Sequence, residues 1–156
     1  ALELWSSPSG RALQTLAIIA EHLGADWHGA SHDRRLQEID VGEWAGRSYA
    51  DIMADQGDIL DPHEALFSVR PPGGEWYDDI AVRLRKWIDD TAHLAGDRLV
   101  IMHGMSSRVL RGILLGLPID PHWRAPIAPS LPQGTMVMID KGVEEIVHLG
   151  GSAKPA

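Results

Sequence analysis

The 156-residue sequence contains no cysteine. That excludes thiolate metal sites, thiol nucleophiles and a disulfide framework. It also lacks any apolar run near the roughly 20 residues that a membrane helix requires. No secretory leader is visible. The chain therefore reads as soluble and, by default, cytoplasmic. Positive charge is scarce: 14 Lys and Arg stand against 22 Asp and Glu, a net charge of −8. That balance argues against a nucleic-acid-binding face and leaves no membrane partner. An anion would have to be held locally, where a few cations outweigh the background field. Repeats and low-complexity linkers are absent too.

What remains is ordinary globular material, 44% hydrophobic and 23% charged. The length suits one domain over residues 1–156, with a core large enough to need neither disulfide nor metal. "LELW" (2–5) predicts a short strand. "SSPSGRALQTLAIIAEHLG" predicts a helix with Ser7 as its cap and Pro8 at its first position. Its apolar stripe is Leu13, Leu16, Ala17, Ala20 and Leu23, and Gly24 closes it. Residues 25–46 read as irregular. "SYADIMADQG" predicts a short helix, and "RPPGG" breaks it. Ile80, Leu84, Trp87, Ile88 and Thr91 predict a longer helix over about 75–94. Leu99–Met102 is a continuous apolar run, as in a strand covered on both faces. Ser106 or Ser107 would cap the helix that follows. "TMVMIDKGVEEIVHLG" predicts two strands around Asp140–Lys141–Gly142. Strands alternating with helices imply α/β architecture: a mostly parallel sheet with helices on both faces, and an antiparallel closing pair. Because the sequence opens "ALELWSSP", already inside a strand, the domain is expected to be incomplete at its N-terminus.

Ligands of such sheets bind beyond the carboxyl ends of the strands. Two segments share that geometry. In "LELWSSPSGR" a strand meets a serine-rich turn, with Arg11 in the first helical turn. In "LVIMHGMSS" a strand ends at His103, Gly104 permits close backbone approach, and a helix begins. Free N–H groups at helix starts, a guanidinium fork and an imidazole together suit a dianion such as phosphate. Glu38, in "RRLQEIDVGEWAG", is a third candidate, as a general acid, and Glu43 competes with it. Its bland alternative is a solvated loop carboxylate, which spacing alone favours. Glu75 simply marks a helix start. His28 and His32 are four apart, but "HGASH" contains Gly29, so no metal site is expected. Trp76 and Trp87 are expected to pack, and Trp44 to line a pocket wall.

These stretches resemble the histidine phosphatase superfamily, the phosphoglycerate mutase-like proteins. "SSPSGRALQTLAIIAEHLG" resembles the family's serines, proline and arginine followed by an "A-x-QT" helix. "LQEIDVGEWAGRS" resembles its "L-x-E-x-x-x-G-x-W-x-G" stretch. "PPGGEWYDDIAVRLRKWI" resembles its "P-x-GES" helix start, with Trp76 where serine is usual. "LVIMHGMSSRVLRGILLGL" resembles the strand, "HG" and helix bearing the second histidine, and "LPQGTMVMI" resembles the closing strand. The matches follow the family's order along nearly the whole chain.

The resemblance implies a three-layer α/β/α sandwich and a set of roles. Arg11 would bind the phosphoryl group, His103 would hold and polarise it, and Gly104 would let backbone amides face it. Glu38 would protonate the leaving oxygen. The reaction would pass through a phosphohistidine, with neither metal nor organic cofactor. The partner would be a small phosphorylated metabolite, and a homodimer is left open. The family's nucleophile lies in an "RHG" stretch, and no "RHG" occurs in this sequence. His103 follows Met102 and fits the second histidine, so the nucleophile is expected upstream of residue 1. Only residues 47–70 fill the interval that is longer in the family's mutases. A short cover admits water, which favours hydrolysis. The alternatives are a cofactor-dependent phosphoglycerate mutase and a non-catalytic member that binds a phosphorylated ligand. Specificity is expected from residues 47–74 and 118–134, where Arg70, Arg124 and His122 are candidates to meet a second anionic group.

A purified polypeptide of residues 1–156 alone is expected to release no phosphate from phosphomonoesters above background. Measurable turnover would mean that another group accepts the phosphoryl.

Overall fold

Three parallel strands form the centre of the protein, in a computed structural model that describes residues 1–151. β1 (Glu3–Ser6) lies between β2 (Ser31–His32) and β3 (Arg98–Ile101). Side chains alternate across these strands and sort into two cores. Leu4, Leu99 and Ile101 meet Leu16 and Ala20 of α1 (Gly10–Leu23). On the opposite face Trp5 and Val100 join a larger core. That core includes Ile80, Leu84 and Trp87 of α3 (Tyr77–Thr91), and Val109 and Leu110 of α4 (Gly104–Leu114). Trp5 and Trp87 meet edge to face, centroids 5.6 Å apart. The result is the expected three-layer α/β/α arrangement.

The smaller elements build outward from these layers. α2 (Tyr49–Gln56) buries Ile52. The segment after it folds down onto the larger core through Ile59, Leu66 and Phe67. β4 (Ile119–Asp120) and β5 (Ala125–Pro126) form a short antiparallel pair. β6 (Met136–Asp140) and β7 (Val143–His148) form the expected hairpin. It turns at Lys141 and Gly142, with φ of 48° and 79°. Positive φ at both central residues is the signature of the turn whose twist matches paired strands. Arg111 of α4 ties the hairpin down by a two-pronged ion pair, its Nε and Nη2 donating to Glu144 at 2.7 and 2.9 Å. Among the described residues the hairpin is a sheet of its own, and β3 pairs only with β1.

Several local expectations are corrected. α1 is capped by Ser9, whose hydroxyl accepts from the Ala12 amide, so Pro8 precedes the helix. α4 begins at Gly104, with His103 as its cap residue and neither serine in that role. The reason is long-range: a distant carboxylate satisfies the amides that a local serine would otherwise take. β2 falls inside the stretch read as irregular, because two residues are too few to show alternation. Trp44, expected on a pocket wall, is 2% exposed and packs edge to face on Phe67. Trp76 and Trp87 pack as expected. No helix among the described residues is long and apolar enough to cross a membrane.

Gly112 is where α4 comes closest to β5. A Cβ there would lie 2.3 Å from the Pro126 carbonyl oxygen. Gly112→Ala should therefore force backbone apart and cost about 1–3 kcal/mol, as overpacking does. Urea unfolding of the two forms checks this, and equal midpoints would contradict it.

Candidate functional site

β1 and β3 run parallel, with Ser6 opposite Ile101. Their carboxyl ends therefore emerge together, and each leads directly into a helix. The Ser7 amide continues the ladder one step by donating to the Ile101 carbonyl at 3.0 Å. The chain then turns through Ser7–Pro8–Ser9 into α1, and through His103 into α4. Both helix starts, with their unpaired amides and partial positive charge, lie around one point. His103 occupies it. Its Nε2 lies 2.8 Å from Ser7 Oγ and 3.4 Å from Ser9 Oγ. Ser7 is fully buried, and its hydroxyl also accepts from the Ser9 amide at 3.2 Å. The sequence reading had placed Ser7 as a helix cap. The "SSPS" run before the helix was the available signal, but only the parallel register turns that hydroxyl onto His103.

Arg11 reaches the same point by its charge. It is exposed and makes no ion pair or side-chain hydrogen bond among the described residues. Its guanidinium nevertheless bears on His103. The His103 pKa lies below the usual histidine value, first because the ring is partly buried, with the Arg11 and Arg83 charges adding to the effect. The Glu38 carboxylate opposes them. Near neutral pH the ring is therefore an uncharged imidazole.

Glu38 closes the third side. One carboxylate oxygen accepts from the Met105 amide at 2.9 Å, and the other from the Ser106 amide at 2.8 Å. The second oxygen also accepts from the Ile39 amide at 3.0 Å. Glu38 thus supplies the missing cap of α4, where negative charge and the helix dipole attract. Glu43, its competitor, is exposed and contacts none of these groups. At Gly10 a Cβ would meet nothing within 4 Å, and at Gly104 only Glu38 Oε2 at 3.9 Å. Open space therefore fronts both helix starts. The structure brings together all four sequence-selected residues: Arg11, Glu38, His103 and Gly104.

The candidates for a second anion are already engaged. Arg70 donates to Asp79 and to the Gly74 carbonyl, and Arg124 pairs with Asp78 at 3.2 Å. His122 packs edge to face on Trp76 and Trp123. A separate cleft of about 700 Å³, lined by Leu2, Trp5, Arg35, Asp90 and His93 among others, includes none of the four site residues. Among the described residues no group of three or more His, Asp and Glu side chains has metal-holding geometry.

The family model of the histidine phosphatase superfamily (branch 1) matches residues 1–150. A 2,3-bisphosphoglycerate-dependent phosphoglycerate mutase of Methylobacterium radiotolerans is 35% identical over 112 residues, 69% of this chain and 53% of that protein. The enzyme of the same name from Methylorubrum populi is 31% identical over 140 residues, 86% of this chain and 66% of that protein. The chain thus spans between about half and two thirds of these curated relatives. A mycobacterial glucosyl-3-phosphoglycerate phosphatase has a similar fold, with a TM-score of 0.69 at 22% identity, covering 97% of this chain and 78% of that one.

The charges around His103 give its titration a sign. Followed by NMR, its midpoint should lie below the usual histidine value. Glu38→Gln should lower it further and Arg11→Gln should raise it, since the carboxylate favours the imidazolium and the guanidinium opposes it. No response to either substitution would remove those side chains from its surroundings.

Proposed function

The chain belongs to the histidine phosphatase superfamily, and from that premise we propose that it forms most of a phosphatase acting on small phosphate monoesters through a phosphohistidine. The observation that carries this reading is the meeting of two helix starts at His103, with Ser7 and Ser9 on its ring and Glu38 on the amides beside it. In this reading the monoester's phosphoryl oxygens lie between Arg11, His103 and the Gly104 amide. A guanidinium supplies paired donors, and a neutral imidazole supplies a directed hydrogen bond without a second full charge. As the ester bond breaks, charge builds on the leaving oxygen. Glu38, facing the same space, gives it a proton from its protonated form and is left as the carboxylate that caps α4.

The phosphoryl must pass to a nucleophile before water removes it. The Nε2 of His103 is engaged by Ser7 and Ser9, and residues 1–156 hold no "RHG" stretch. The reading therefore takes the acceptor histidine from a strand upstream of Ala1. Unpaired edges at β3 and β6 are compatible with such a strand. Hydrolysis is preferred to transfer because residues 47–70 are short and Ile52, Ile59, Leu66 and Phe67 among them are spent on the core, which leaves little chain to exclude water from the site. The mutases among the relatives keep phosphoryl transfer to a second hydroxyl as the second reading. A non-catalytic binder of phosphorylated ligands is the third. The proposed partner is a small phosphorylated metabolite, at a cytoplasmic site, with no cofactor required.

A panel of phosphomonoesters, with 3-phosphoglycerate included, separates these readings in a protein carrying this chain and an upstream histidine. Phosphate release is expected. Rapid mutase activity with little release would reverse the ranking. His103→Ala should lower the rate at least about a hundredfold, as loss of a charge-stabilising donor does, and an unchanged rate would take His103 out of the chemistry.

A further inference from the structure

Glu38 lies in a segment with little regular structure of its own, yet its carboxylate must hold a fixed position for either capping or proton transfer. Besides the burial of Leu36 and Ile39, a side chain from the middle of α3 holds the segment's backbone. The Arg83 guanidinium donates to the carbonyl oxygens of Arg35, of Gln37 at 2.9 Å and of Glu38 at 3.3 Å. These are three acceptors in four residues, satisfied by one planar fork. Arg83 is itself oriented by Glu75, its Nε donating to one carboxylate oxygen at 2.8 Å and its Nη2 to the other at 3.1 Å. Glu75 extends the grip past Glu38. Its Oε1 accepts from the Asp40 amide at 2.9 Å, and its own amide donates to the Asp40 carbonyl at 2.8 Å. Both side chains of this pair are mostly buried, 17% and 23% exposed. The ion pair is therefore shielded from the screening that makes surface pairs weak.

We propose that Arg83, held by Glu75, is a positioning residue for Glu38: it fixes the backbone on both sides so that the carboxylate stays seated on the Met105 and Ser106 amides, beside the ring of His103. It never touches the substrate. The inference gives Glu75 a part beyond starting a helix, and it deepens the proposed phosphatase reading, because Glu38 is the proton donor there. A lysine cannot reproduce it, since a single ammonium cannot reach three carbonyls and both carboxylate oxygens in one plane.

The Met105 and Ser106 amides report on this arrangement directly. In NMR spectra of the chain, Glu38→Ala should move both signals upfield, which sets the benchmark for an emptied seat. Arg83→Met should displace the same two signals in the same direction, and Arg83→Lys should displace them less. Arg85→Met, on the exposed side of α3, should leave them in place. A folded Arg83→Met protein with both signals at the original positions would overturn the inference. If Arg83→Met does not fold, Arg83→Lys and Glu75→Gln decide instead: displaced signals support the clamp, unmoved signals refute it. Titration with inorganic phosphate, followed at His103, separates this from the parent reading. Displaced amides with no phosphate response would leave the clamp standing and remove the phosphatase proposal.

Discussion

The parallel register of β1 against β3 is the constraint on which this site depends. Ser6 opposite Ile101 makes two strands end side by side, and the chain leaves each of them into a helix. A slip of one residue would send the side chains at these ends to the opposite face of the sheet. Ser7 would then leave His103. The register is pinned from both faces, since Leu4, Leu99 and Ile101 commit to α1, while Trp5 and Val100 commit to the other core. Packing far from the site therefore sets its geometry.

The proposed anion site stands in a chain of acidic composition. It relies on fixed dipoles and one exposed cation in place of a basic surface. Two helix starts contribute partial charges that cannot rotate away, and Arg11 adds a full charge with no partner of its own among the described residues. Arg83, Arg124 and Arg70 are each paired with a carboxylate, of Glu75, Asp78 and Asp79 respectively. Segregating paired from unpaired cations keeps the attraction local. His103, held mostly neutral by partial burial and by the cations around it, fits the same economy.

Glu38 connects the fold to the site. Its carboxylate completes α4, so the residue proposed as the proton donor is also part of the helix start proposed to face the phosphoryl group. In that proposal stability and chemistry share one contact. The segment that bears it is short of regular structure, and Arg83 of α3, paired with Glu75 just before the helix, binds its backbone. Loops that carry chemistry on a rigid scaffold are common. In this protein the Arg83 fork acts beside the burial of Leu36 and Ile39 and the Arg35–Asp90 ion pair.

Much of this was legible beforehand, for identifiable reasons. The helix periods of α1, α3 and α4, the Gly24 stop and the hairpin at Lys141–Gly142 are local signals, and local physics decides them. Strand-to-helix turns and loop position marked Arg11, His103, Gly104 and Glu38, and the motif order along the chain pointed to the family and to their roles. Contacts between segments distant along the chain were not legible. Ser7 read as a cap, because its bond to His103 spans 96 residues. The start of α4 was placed at a serine, because its true cap comes from Glu38, 67 residues earlier. Trp44 was put on a pocket wall, because burial against Phe67 leaves no trace in spacing. Residue types and local periods determined which elements form and which side chains carry reactive groups. Only tertiary structure decided which of those groups meet, because a hydrogen bond across the sheet depends on register and packing that no single stretch contains.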